Sequence, residues 1–275
     1  MSFFKSIVLA FSMFSALPMP QVEWNEKNMR YMMAAFPLVG VYIAFLCAVC
    51  FVLVQFLGNF HKNFSPALIS LFFTLIPVLV TGGIHLDGFM DTCDALGSHA
   101  SLEKKLEILK DSHSGAFAVL GCVIYFLCYF VFSHELFGYF FGAESSRRFV
   151  NHFTQLMAFF PLLSIFVLSR LLSAFAVATF PIAKNSGLVH TFASASAKRF
   201  TSIWCGFWFI LLSIAISFLF GTSGIVIVAA SLFVFAAYFF ISKKNFGGIT
   251  GDTAGWFVQI SELFSLVVFV IYLIF

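Results

Sequence analysis

The chain has 275 residues, 61% of them hydrophobic and only 10% charged, where a soluble domain carries roughly 25% charged residues. A mean hydropathy of +1.01 excludes an ordinary soluble globular protein and points to an integral membrane chain. The formal net charge of +3 is too small to argue for nucleic acid as a partner.

No polar linker or low-complexity tract divides the chain, so residues 1–275 are read as a single polytopic membrane domain. The first segment carries Lys5, an apolar run, and then Pro18 and Pro20, which end a helix. No A-x-A cleavage pattern follows, and the segment is read as a retained amphipathic or half-inserted helix. A hydrocarbon core of about 30 Å needs roughly 20 apolar residues per helix. Windows of that kind cover 31–57, 65–82, 115–140, 155–180, 201–220, 223–241 and 254–275. The expected fold is therefore all-α: a membrane bundle of about seven spans plus the N-terminal segment, with the lipid bilayer as its surroundings. The connection at 221–224 is short enough to make its neighbours antiparallel.

Seven spans put 18–30, 83–114, 181–200 and 242–253 on one side of the membrane. That side carries Lys5, Lys27, Arg30, Lys104, Lys105, Lys110, Lys184, Lys198, Arg199, Lys243 and Lys244, against Lys62, Arg147 and Arg148 opposite. The bias assigns the first side to the cytoplasm. Of the cysteines, Cys47, Cys50, Cys93, Cys122, Cys128 and Cys205, only the first two are CxxC-like, and they lie inside an expected span. All six are read as packing residues.

The chemistry concentrates on the cytoplasmic side. The short second span runs into Gly82-Gly83-Ile84-His85-Leu86-Asp87-Gly88-Phe89-Met90-Asp91-Thr92-Cys93-Asp94. Asp87, Asp91 and Asp94 recur at i, i+4 and i+7, on one face of a helix. Stacked carboxylates repel unless a cation lies between them, and a hard ion such as Mg²⁺ takes oxygen ligands and joins carboxylates to substrate phosphates. Gly82 and Gly83 allow a sharp turn and close approach to a ligand. His85 is a candidate base or phosphate contact, with an interfacial side chain as the plainer alternative. Next, 103–115 reads as an amphipathic helix with ordinary charge pairing that ends in Lys110-Asp111-Ser112. There Lys110 is suited to neutralise a phosphate and Asp111 to ligate a metal. Gly247-Gly248-Ile249-Thr250-Gly251-Asp252-Thr253-Ala254-Gly255 opens the last span as a glycine-rich turn before a helix, a place for an anion. Asp252 is either a helix cap or a further acidic group of the site. Within the spans, Arg170 and Glu262 are ionisable groups that need a partner or a function.

Together the metal candidates are Asp87, Asp91, Asp94, Asp111 and Asp252. The catalytic candidates are His85, Asp91, Lys110 and Arg170. Gly82, Gly83, Lys104, Ser112, Thr250 and Gly251 are candidates for substrate contacts.

The 82–94 stretch resembles the signature of the cobalamin synthase family, the adenosylcobinamide-GDP ribazoletransferases. Phe36-Pro37-Leu38-Val39-Gly40, Leu109-Lys110-Asp111-Ser112 and Gly248-Ile249-Thr250-Gly251-Asp252 agree with that family in the same order. His113 stands where the family often has a basic residue. The resemblance implies a multi-pass enzyme of the bacterial inner membrane that requires Mg²⁺. It implies adenosylcobinamide-GDP and α-ribazole or its 5′-phosphate as substrates, with GMP released and adenosylcobalamin or its 5′-phosphate formed. It also implies Asp87, Asp91 and Asp94 as metal ligands, with Asp111 and Asp252 contributing. Oligomeric state is left open, a homo-oligomer included. Two other classes were weighed. A CDP-alcohol phosphotransferase would carry Ala-Arg after its Asp-Gly, where this chain has Phe89-Met90-Asp91. A metal-ion transporter would hold its acids near the bilayer midplane.

Overall fold

A computed structural model of the chain describes residues 2–58, 65–142, 150–183 and 188–274. Lys62, Arg147, Arg148 and Lys184, used above for topology, lie outside the described residues.

The described helices are α1 (Ser2–Phe14), α2 (Glu26–Met29), α3 (Met32–Ala35), α4 (Pro37–Gly58), α5 (Pro66–Thr81), α6 (Ile84–Gly97), α7 (Leu102–Ile108), α8 (Ala116–Phe141), α9 (His152–Leu163), α10 (Ile165–Thr179), α11 (Leu188–Ala195), α12 (Lys198–Phe220), α13 (Thr222–Phe246) and α14 (Gly251–Ile274). The polytopic all-α expectation holds. α4, α8, the continuous pair α9–α10, α12, α13 and α14 are each long and apolar enough to cross a membrane, and the bent pair α5–α6 supplies a further crossing.

Apolar burial ranks the spans. Within His152–Thr179, 83% of an 18-residue apolar window is buried by its neighbours, which makes this the central element, whereas within Lys198–Phe220 the share is only 11% and the helix forms the outer wall. Exposed Ile203, Ile214 and Phe218 on α12 suit lipid rather than water. Phenylalanine fills the interior between α4, α5, α8 and α9: Phe51 stacks on Phe159 at 4.3 Å, and Phe73 meets Phe137 edge-on at 5.4 Å. All six cysteines are free, as expected of packing residues.

Contacts between chain ends fix the topology. At one end, Ala16 N–H donates to Val80 O (2.8 Å), Ala197 N–H to Arg30 O (3.0 Å) and Ile249 N–H to Pro181 O (2.9 Å). At the other, Gln55 Nε2 donates to His152 O (3.1 Å) and to Gln155 Oε1 (2.8 Å), Gln155 bonds Phe140 O, and Thr222 bonds Tyr272. Both sets are met when the bent pair counts as a seventh crossing, which brings α6, α7, α11 and the start of α14 to one end.

The 83–114 connection carries α6 and α7, as the aspartate spacing and the amphipathic pattern of 103–115 led one to expect. Two boundaries differ from the sequence reading. The span expected at 155–180 begins at an Asn151–Thr154 capping box and changes helix at Ser164, three residues after Pro161 removes a backbone donor. The turn between α12 and α13 is Gly221 alone, at φ +59°.

Candidate active site

The site begins with a turn. α5 ends at Gly82 and Gly83, both left-handed at φ +61° and +80°, which glycine adopts without the Cβ penalty. Gly82 N–H donates to Leu79 O (3.2 Å) and Gly83 N–H to Val78 O (3.0 Å), the paired bonds of a Schellman closure. The chain then leaves at 94° as α6. The turn ends α5, and α6 packs across the first turns of α8 and α14.

Two glycines let α6 and α14 touch. A Cβ on Gly88 would sit 2.8 Å from Asp252 Cα, and one on Gly255 would sit 2.9 Å from His85 O. Any side chain at either position would force the helices apart, moving Asp252 away from the α6 aspartates. Further along, a Cβ on Gly115 would collide with the Asp94 carboxylate, and one on Gly121 would lie 2.9 Å from Cys93 Sγ. Asp94 therefore lies against the first turn of α8, where a helix N-terminus favours an anion.

The start of α14 is held rigid. Thr250 N–H donates to Thr253 Oγ1 (2.8 Å) and Thr253 N–H to Thr250 Oγ1 (3.1 Å), a reciprocal cap in the place expected for Asp252. Gly248 fits against Pro181, Ile182 and Ala183 with no room for a Cβ, and Ala183 N–H donates to Ile249 O (3.0 Å).

The carboxylates collected at this crossing act on one another. Burial, and then the charges of Asp87, Asp252 and Asp94, raise the Asp91 carboxyl from 3.8 to about 6. No described Lys or Arg is ion-paired with Asp87, Asp91 or Asp94. Among the described residues, no three His, Cys, Asp or Glu side chains already converge as a ligand set. A cavity of about 150 Å³ opens beside the crossing, lined by Asp87, Gly88, Gly251, Asp252 and Gly255, with His85, Phe14, Phe36, Ser173 and Phe192 among its other walls. Sites for drug-sized ligands run to roughly 300–1,000 Å³, so this space takes one part of a ligand.

His85 is buried between Phe14 and Phe36, with ring centroids at 6.0 and 5.5 Å. Burial first, and Arg170 second, lower its imidazole from 6.5 to about 3. The ring is neutral at physiological pH, and its Nε2 has no protein partner.

The remaining candidates are dispersed. Asp111 is exposed and accepts hydrogen bonds from His113, from its N–H at 3.0 Å and at Nδ1 at 2.8 Å. These bonds hold its carboxyl below the usual range, and it interacts with His113 and Lys104 rather than with the four aspartates. Lys110 and Ser112 are exposed. Lys104 is paired with Glu107 at 2.9 Å across i, i+3, while its neighbour Lys105 is buried and donates to Asn245 Oδ1 (2.7 Å), tying α7 to α13. Arg170 is fully buried at mid-span, with Nη1 2.5 Å from Glu262 Oε1 and 2.9 Å from Phe166 O. It is not on the cavity wall. Sequence reasoning missed Phe14, Ser173 and Phe192 as cavity walls, because nothing distinguishes these from other core residues of an apolar chain; Phe36 stood out only as part of the Phe36–Gly40 segment, with no role attached.

The sequence profile of cobalamin-5-phosphate synthase matches residues 6–270. The chain belongs to that family. It is 38% identical over 265 residues to the adenosylcobinamide-GDP ribazoletransferase of Lachnoclostridium phytofermentans, covering 96% of this chain and 93% of that protein. With the protein of the same name from Clostridium botulinum, strain Alaska E43, it shares 33% identity over 268 residues, covering 96% of each. The counterpart in Fusobacterium nucleatum is 28% identical, covering 97% of each chain. No solved structure matches. Nothing in these comparisons favours a CDP-alcohol phosphotransferase or a metal-ion transporter. The family makes this chain a multi-pass membrane transferase of cobalamin biosynthesis.

Proposed function

We propose that the chain transfers the adenosylcobinamide phosphate moiety of adenosylcobinamide-GDP to α-ribazole or its 5′-phosphate, releasing GMP. The relatives named above are adenosylcobinamide-GDP ribazoletransferases, and Asp87 and Asp252 on the wall of a cavity, with Asp91 and Asp94 further along the same helix as Asp87, suit pyrophosphate chemistry. In the reaction, a ribazole hydroxyl oxygen attacks the phosphorus bonded to cobinamide. The P–O bond to GMP breaks, and the hydroxyl proton passes to a carboxylate of the site, for which Asp91 is the candidate. Such a transfer needs positioning and charge neutralisation more than covalent help.

The donor set fits Mg²⁺. All four groups are hard carboxylates, and Asp91 is raised by burial first and then by the charges of Asp87, Asp252 and Asp94, so a cation placed among them would be favoured. Mg²⁺ usually takes one or two carboxylates and completes its shell with water and substrate phosphates, so a convergent protein cage is not required. Asp87, Asp91, Asp94 and Asp252 would hold it. When bound, the ion polarises the pyrophosphate and offsets charge on departing GMP. The protein's own part is to hold Asp252 against α6 through Gly88 and Gly255. The walls Phe14, Phe36 and Phe192 exclude water, and neutral His85 offers a hydrogen bond to substrate. Lys110 and Ser112, exposed at the same end, are available to the diphosphate or the nucleotide, as are Lys104, Thr250 and Gly251. The excess of Lys and Arg on this end supports a cytoplasmic orientation of the site, with the bacterial inner membrane as host.

The observation that carries the reading is the α6–α14 crossing, which joins Asp252 to the helix of Asp87, Asp91 and Asp94. Purified protein in liposomes, given Mg²⁺, adenosylcobinamide-GDP and α-ribazole 5′-phosphate, is expected to release GMP. A folded protein that releases none under these conditions contradicts it.

A further inference from the structure

On the outer wall of the bundle, α3, α4, α10 and α12 enclose a groove of about 650 Å³ lined entirely by apolar side chains. Leu38, Val41, Trp208 and Leu211 along it are exposed. It follows α12 from Trp204 to Ala215, a length of about 16 Å at 1.5 Å per residue, close to half of a hydrocarbon core of about 30 Å. Trp204 lies six residues from the α6-side end of α12 and Ala215 five from the opposite end, so the groove runs along the middle of the span with Trp204 toward the α6 side.

Its mouth is basic. Arg30 lies over the Tyr31 ring at 5.6 Å. Tyr31 meets Phe200 at 5.1 Å, Phe200 stacks on Trp204 at 5.7 Å, and Trp204 meets Trp208 at 5.6 Å. This aromatic ladder connects the cation to the groove wall. The bond from Ala197 N–H to Arg30 O (3.0 Å) brings Lys198 and Arg199 to the same place. Lys5 and Lys27 belong to the same end of the bundle, and all five cations are exposed. Glu23 and Glu26 lie on the same segment, but no ion pair joins either to these cations.

We propose that this groove binds one anionic diacyl phospholipid, with an acyl chain along Trp204 and Trp208 and its phosphate at Arg30, Lys198 and Arg199. Basic pockets between spans are a recurrent site for acidic head groups. A second copy of the chain fits less well, because an isologous contact through this face would set cations against cations. The groove is separate from the acidic crossing, and its test needs no turnover.

The test is tryptophan quenching by brominated lipid in phosphatidylcholine vesicles holding the full chain. Brominated phosphatidylglycerol and brominated phosphatidylcholine are compared at equal low mole fraction. The signal of the two groove residues is the part of the fluorescence lost in Trp204→Phe/Trp208→Phe. That signal is expected to be quenched selectively by phosphatidylglycerol, by roughly fivefold for each basic residue near the head group. The Arg30→Gln/Arg199→Gln variant should lose most of this preference while keeping its general quenching. Equal quenching by the two lipids in the unaltered protein would show bilayer contact without a site and overturn the proposal. Quenching by neither would show that protein covers the groove, and would overturn it as well.

Discussion

At mid-span, Arg170 and Glu262 meet at 2.5 Å, fully buried, with Ser169 Oγ 3.3 Å from each side chain and Phe166 O closing one guanidinium edge. At the α6 end, Asp87, Asp91 and Asp94 stand on one helix face beside Asp252, and no described Lys or Arg pairs with the first three. Both regions place charge in a chain that is only 10% charged. In the first, opposite charges neutralise each other and pin α10 to α14. In the second, like charges accumulate at the membrane face next to a cavity. Balanced charge in lipid builds structure; unbalanced charge at the surface leaves room for a cation and a phosphate. The two are linked by α14, which carries Glu262 in its middle and Asp252 at its start.

The largest expected effect breaks the balanced region. Glu262→Gln leaves a buried guanidinium without its countercharge and should destabilise the protein by about 3–5 kcal/mol, whereas Arg170→Met/Glu262→Met should be close to neutral. Thermal unfolding in detergent compares them; a single variant as stable as the double one would remove the ion pair from the account. In the unbalanced region the signs reverse. Asp91→Asn should lower kcat/KM for GMP release by about a hundredfold or more, the scale of losing one preorganised electrostatic group. Its melting temperature should hold or rise, because one repelling charge is gone. A fall in stability as large as that of Glu262→Gln would show that Asp91 is structural.

A third substitution tests what joins the acidic groups. Gly88→Ala places a methyl 2.8 Å from Asp252 Cα and should cost about 1–3 kcal/mol by overpacking. GMP release should fall with it as Asp252 shifts, and full activity would separate Asp252 from the site. The smallest effect is Thr250→Ala, which removes half of the α14 cap and should cost about 1 kcal/mol, read as a modest drop in melting temperature.

The unbalanced region was the more visible in the sequence. Asp87, Asp91 and Asp94 recur at helical spacing within one short segment, and Gly82-Gly83 announced the turn, so local pattern sufficed. The contribution of Asp252 rests on Gly88 and Gly255, whose missing side chains gain meaning only once two distant segments cross. Arg170 and Glu262 were each visible as misplaced charges, but they are 92 residues apart, and no periodicity links them. Asp111 shows the opposite case. It belongs to a polar motif that reads as part of the site, yet its turn is exposed and its carboxylate is held by His113. The walls Phe14 and Phe192 were invisible because the sequence contains 42 phenylalanines, and packing alone decides which of them meet a cavity.

The account turns on whether the unbalanced aspartates hold a divalent cation. Mn²⁺ binding followed by electron paramagnetic resonance, on the purified protein without substrate and on Asp91→Asn, tests this without reference to turnover. Saturable Mn²⁺ binding that Mg²⁺ displaces, and that Asp91→Asn loses, is the predicted result. Equal binding by both proteins, or none by the unaltered one, would contradict it.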